Sequence, residues 1–178
     1  VGSEMCIRDR IIGDELKRLI LSPLGMLGSG LLLGALSRFF DIYTQNIGNI
    51  FSQMAVWILL GTVISIYSKD KKSAMINIFL FCLGMLVSYY AAAIFTDGVY
   101  STVMIGGWTL FALFSPVLAY LAWMTKEKGL FPKIIGIGIV SASVLSSVIL
   151  FDGPRIYDAA IDGLLIYFIF FKRVKRRV

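Results

Sequence analysis

The sequence predicts an all-α polytopic membrane protein, a bundle of six transmembrane helices built as helical hairpins. Two observations carry that prediction. Six long apolar stretches fill most of a 178-residue chain that is 58% hydrophobic and 16% charged, with a mean hydropathy of +0.83. That is far more apolar than a soluble domain. Fifteen of the seventeen Lys and Arg residues fall in the N-terminal segment, on alternate connections, or in the tail. This is the positive-inside pattern of a protein with both ends in the cytoplasm. The expected location is a cell inner (plasma) membrane, crossed several times, in a bacterium.

Residues 1–10, VGSEMCIRDR, read as a translated library-adaptor scar and are set aside from fold reasoning. Residues 11–18, IIGDELKR, form a cytoplasmic lead-in, where Asp14 would neighbour Lys17 or Arg18 on a short helix. A spanning helix needs about 20 mostly apolar residues, and the six-helix transmembrane domain occupies 19–171. The first span is 19–36. Gly30, Gly34, Arg38 and Asp41 recur at i, i+4, i+8 and i+11, so they share one face. The Gly30-xxx-Gly34 step lets another helix backbone approach closely. After a connection at 38–49, the second span runs over 50–67 and carries Gln53, which can bond across helices. Lys69, Lys71 and Lys72 mark the next connection as cytoplasmic.

The third span, 74–95, carries Asn77 and Cys82, the latter behaving as a small apolar residue. The fourth, 103–124, follows the connection 96–102. Gly106–Gly107 suits close packing near its start. Ser115–Pro116 should kink it, because Pro removes a backbone donor; such a break either accommodates packing or frames a transport site. Lys126, Lys128 and Lys133 place the connection 125–133 in the cytoplasm. The fifth span, 134–151, is small on one side through Ala142, Ser143, Ser146 and Ser147, which suits either close packing or a polar path. A connection at 152–155 leads to the sixth span, 156–171, and the basic tail 172–178 stops it or meets anionic lipid. Trp57, Trp108, Trp123, Tyr67, Tyr100 and Tyr120 lie mostly toward helix ends, as an interfacial belt requires.

Composition also narrows the chemistry. The chain has no His, which removes Ser–His and Cys–His hydrolases and HExxH zinc sites. It has no phosphate-binding GxxxxGK[ST] loop and no Glu within a span, and its two cysteines make no disulfide framework. No enzyme, no cofactor and no metal site is expected. The net charge of +6 flanks apolar segments instead of forming one soluble patch, so it answers lipid headgroups and not nucleic acid.

What remains is a set of aspartates on the non-cytoplasmic half. Asp162 lies roughly 9 Å into the last span at about 1.5 Å per residue, where a bare Asp costs about 2.5–3.5 kcal/mol. It should therefore face the bundle. Arg155, Asp158 and Asp162 share a face at i, i+3 and i+7. The expected polar cluster is Arg38, Asp41, Arg155, Asp158 and Asp162, with Arg38 meeting Asp158 or Asp162 across the Gly30–Gly34 contact. Ionisable groups inside a membrane are functional candidates, though a satisfied ion pair that orders the helices would look the same in sequence. Tyr157–Asp158 is not the pair of an intramembrane aspartyl protease, because the Gly-x-Gly-Asp partner is absent. Two functions compete: a permease-like or substrate-binding membrane protein for a small solute, and a non-catalytic structural or interaction subunit of a membrane complex. The partners expected are the lipid bilayer and either another membrane protein or a second copy of the chain.

GALSRFFD at 34–41 and SYYAAA at 88–93, within a six-span chain of this length, resemble a bacterial family of small multi-pass membrane proteins known only as a domain of unknown function. The likeness covers mainly the first three helices. It implies topology and a bacterial inner membrane, and brings no activity or catalytic residues. In size and topology the chain is also similar to the substrate-capture subunits of energy-coupling-factor transporters, a likeness that implies a docking role for Gly30-xxx-Gly34.

Overall fold

The computed structural model describes residues 16, 19–51, 53–96, 102–150 and 155–174. The chain is all-helical among them, so both the suspected scar at 1–10 and most of the lead-in at 11–18 lie outside the described residues. Helix α1, Pro23–Tyr43, starts later than expected because Ser22 caps it: its hydroxyl accepts from the Gly25 N–H at 3.0 Å, with Pro at the first helical position. It also runs on past Leu36, so Arg38 and Asp41 stand on the helix itself and not in a connection. No Gly or Pro interrupts 35–43, and nothing there stops the ladder.

A short helix α2, Gln45–Phe51, follows, and Gln53 in extended conformation separates it from α3, Met54–Tyr67. The 14 residues of α3 give about 21 Å of helix, less than a hydrocarbon core of about 30 Å. Helix α4, Lys71–Phe95, is capped by Asp70, whose carboxylate accepts from the Ser73 N–H at 2.8 Å. That bond holds the Asp70 carboxyl below its ordinary range. Helix α5 is Thr102–Met124, with Pro116 inside it. Helix α6, Leu130–Leu150, begins directly after Gly129, whose φ of 132° makes the turn. Helix α7, Ile156–Ile166, continues into a π turn, Tyr167–Phe171, closed by the Lys172 N–H on the Tyr167 carbonyl at 2.9 Å.

Four of these helices are long and apolar enough to cross a membrane: α1, α4, most of α5 and most of α6. Their outward faces carry Leu32, Val87, Leu113, Ile137 and Ile149, all exposed. So much exposed aliphatic surface is stable only with lipid as solvent. The chain is a helical membrane protein. At the core of the described residues is a cluster in which Met26, Trp57, Ile78, Phe81, Met85, Ala112 and Ala119 are buried together.

The most extensive packing is between α1 and α4, which are not neighbours in sequence. A Cβ at Gly30 would strike the Phe81 carbonyl, one at Gly34 would strike the Met85 backbone, and one at Gly84 would come within 2.6 Å of the Leu27 carbonyl. The small-residue step therefore works as expected, but its partner is α4. The last helix packs on α3 and α6 instead. This corrects two expectations. Arg38 does not reach Asp158 or Asp162, and Gly30 and Gly34 are already filled by the chain's own α4, so they offer no docking surface to another protein.

Contacts also gather the basic connections at one end. The Lys71 ammonium pairs with Glu127 at 3.2 Å and lies over the rings of Tyr120 and Trp123. Asn77 donates to the Leu21 carbonyl at 2.8 Å and Trp123 to the Ser68 carbonyl at 3.3 Å. The starts of α1 and α4 and the ends of α3 and α5 therefore share one face. Lys126 adds the end of α7: its ammonium donates to the carbonyls of Phe168, Ile169 and Lys172 at 2.5–2.8 Å.

Candidate functional site

The five residues expected to form one polar cluster separate into two groups, because α1 and α7 pack on different helices. On the α1–α4 side, Arg38 Nε donates to Thr96 Oγ1 at 3.1 Å, and the Tyr89 hydroxyl donates to Asp41 Oδ2 at 2.7 Å. The other Asp41 oxygen lies against Gly48, where a Cβ would come within 2.8 Å of it. These bonds latch the C-terminal ends of α1 and α4 together. Tyr89 was not singled out in the sequence; its place two residues before the small run Ala91–Ala93 says nothing of Asp41.

The second group sits where α6 meets α7. Ser143, fully buried, donates its hydroxyl to Asp162 Oδ1 at 2.6 Å. Asp162 thus faces the bundle and a partner, as its insertion cost requires. Asp158 is more deeply buried still, with no exposed surface. Its Oδ2 accepts from the Arg155 backbone N–H at 2.9 Å, capping α7, while its Oδ1 has no hydrogen-bond partner. The Arg155 guanidinium turns to Tyr157, donating to its hydroxyl and lying 5.9 Å from the ring centroid. Gln53 Oε1 and Asn77 Oδ1 are the other bare buried acceptors among the described residues, but each belongs to a neutral amide. No group of three or more His, Cys, Asp or Glu residues able to hold a metal occurs among the described residues.

A cavity of about 310 Å³ lies between α3, α4, α5 and α6. Neither aspartate group reaches it. Trp57, Phe81, Met85, Phe111 and Leu118 supply large apolar walls, and Gly61, Ala119, Ala122 and Ala142 leave the space between them. Ser115 lines it for a specific reason. Pro116 has no N–H, so the Ala112 carbonyl one turn earlier loses its helical donor. The Ser115 hydroxyl replaces it, donating to that carbonyl at 2.7 Å. Ser65 and Ser146 are likewise turned to their own helices, donating to the carbonyls of Gly61 and Ser143 at 2.6 and 2.7 Å. The hydroxyl oxygens can still accept, but these protons are spent, and no Lys, Arg, Asp or Glu lines the space. Charged solutes are therefore poorly served there. In the sequence, Ser115–Pro116 and the small side of the fifth span were the two signals of this cavity, each readable equally well as packing.

A family model described as "Family of unknown function (DUF6518)" matches residues 13–157. No curated protein and no solved structure matches the chain.

Proposed function

Because this chain belongs to the family of unknown function DUF6518, whose description brings no activity with it, we propose a function from the molecule's own geometry: a permease-like or solute-binding membrane protein that takes a small, uncharged solute between α3 and α6. The observation that carries this is the cavity of about 310 Å³ walled by four helices, one of which carries Pro116 beside it. That volume is at the lower end of small-molecule sites, which are mostly apolar with a few placed polar groups.

In this reading α1, α2–α3, α4, α5, α6 and α7 with its π turn make six crossings. Both ends face the cytoplasm of a bacterial inner membrane, since the basic end of the bundle is the one retained inside. No catalysis is assigned to the site. The absence of an imidazole anywhere in the chain and the lack of charge around the cavity support a binding role over an enzymatic one.

The test is a thermal-shift screen of the detergent-purified protein against uncharged small solutes, followed by Trp57 fluorescence titration with any hit. Ala119→Phe and Ala142→Phe, which fill the cavity, should abolish the response while leaving the unliganded protein folded. A hit that binds both filled variants as tightly as the parent would remove the cavity from the argument. The second reading, a structural or interaction subunit, is favoured by one observation: Arg38 and Asp41 are each occupied in fastening α1 to α4. It predicts no solute response and co-purification of a membrane partner or a second copy.

A further inference from the structure

A fully buried and a half-buried carboxylate on one helix, facing two buried serines on its neighbour, form a place for a small cation. The contact of Ser143 with Asp162 sets the register between α6 and α7. The helices are antiparallel across a short connection, so one turn further along α6 corresponds to one turn earlier on α7, roughly 6 Å away. That next rung is Ser147 opposite Asp158. Both are buried, at 1% and 0% exposure. Yet no hydrogen bond joins them: the Ser147 hydroxyl makes only a long 3.5 Å contact with the Ser143 carbonyl, and Asp158 Oδ1 is bare. A serine could satisfy that oxygen if the two side chains touched. Both side chains are shut off from solvent, in a part of the bundle where leaving a carboxylate oxygen uncompensated is costly.

We infer that Asp158 Oδ1 and Ser147 Oγ, with Asp162 and Ser143 on the adjacent rung, bind a small monovalent cation such as Na⁺. The donor set is all oxygen, which suits a hard cation and not a transition metal. It is too small for Ca²⁺, which takes 6–8 oxygens, and too dry for Mg²⁺, which keeps several waters. A monovalent ion sheds its water more readily and neutralises the bare oxygen without a further basic side chain. The site stands outside the cavity between α3 and α6 and does not depend on the solute proposed there. Arg155 contributes its backbone N–H to the other Asp158 oxygen, which holds the carboxylate in one orientation for the ion.

The experiment is thermal unfolding of the full-length protein in detergent, at fixed pH and ionic strength, in NaCl, LiCl, KCl or choline chloride. An alkali cation should raise the midpoint saturably, by about 5 °C or more at large excess over its Kd, and choline should not. Ser147→Ala and Asp158→Asn should each lose that shift. If Asp158→Asn does not fold, Ser147→Ala alone decides, because it removes a ligand and leaves the Asp158 cap intact. Equal midpoints in all four salts would overturn the inference. So would a midpoint that moves with pH but not with cation, which would assign a proton to Asp158, or a shift that survives in Ser147→Ala.

Discussion

Lys126 is the residue whose role is furthest from its appearance in sequence. It counts there as one more positive charge on a cytoplasmic connection. In the molecule its ammonium closes the end of α7, where the π turn presents carbonyls that no following helix can satisfy. Cations at a helix C-terminus also answer the negative end of the backbone dipole. Lys126→Met keeps the aliphatic stem and removes all three bonds, so it should destabilise the protein by about 2–4 kcal/mol, with Lys126→Arg recovering part of the loss. Denaturant midpoints in detergent check this; a Lys126→Met midpoint equal to the parent's would mean the carbonyls find other donors. Asp158 and Asp162 teach the complementary lesson. Their inward orientation followed from the insertion cost of a charge alone. Which atoms they meet did not, because a cost says where a group cannot go and nothing about its partner.

Among the elements, α1 and α4 show how a motif constrains geometry without choosing its partner. Gly30-xxx-Gly34 specifies a face on which backbone can touch backbone. The opposite face of the contact is Gly84, the single glycine of α4, which no Gly-xxx-Gly spacing marks in the sequence. Gly34→Leu should therefore prevent α1 from seating and yield aggregated or degraded protein. Gly28→Ala, on the same helix but with open space around it, should be neutral or stabilising by up to about 1 kcal/mol. Fluorescence-detected size exclusion of the two variants separates them, and normal folding of Gly34→Leu would show that the close approach is dispensable. The boundaries of α1 moved for a local reason: Ser22–Pro23 is a start signal that an apolar count ignores, and the absence of breakers after Leu36 let the helix run on. The second span divided for the opposite reason, since Gln53 sits extended between α2 and α3.

For the whole molecule, the charge pattern and the contacts speak to the same property by independent routes. Counting Lys and Arg assigns the connections at 68–73 and 125–133 and the tail to one side. The Lys71–Glu127 pair and the Lys126 bonds bring those same segments into touch. Single cysteines at Lys128 and Lys172, in a background with Cys6 and Cys82 replaced by Ser, should react with a membrane-impermeant maleimide only in inverted vesicles. A cysteine at Tyr43, at the far end of α1, should react only in right-side-out cells. Labelling of Lys128→Cys and Lys172→Cys from opposite sides would refute a common face.

The sequence by itself determined the solvent, the helical class and the gathering of the basic connections at one end, because each follows from transfer free energies that add residue by residue along the chain. It could not decide which helix packs on which, that Arg38 belongs with Thr96 and Tyr89 instead of the last helix, or that a cavity opens between α3 and α6. Those depend on shape complementarity between segments distant in sequence. Inside lipid, apolar side chains have no hydrophobic preference among neighbours, and only close steric fit and a few polar bonds choose between arrangements.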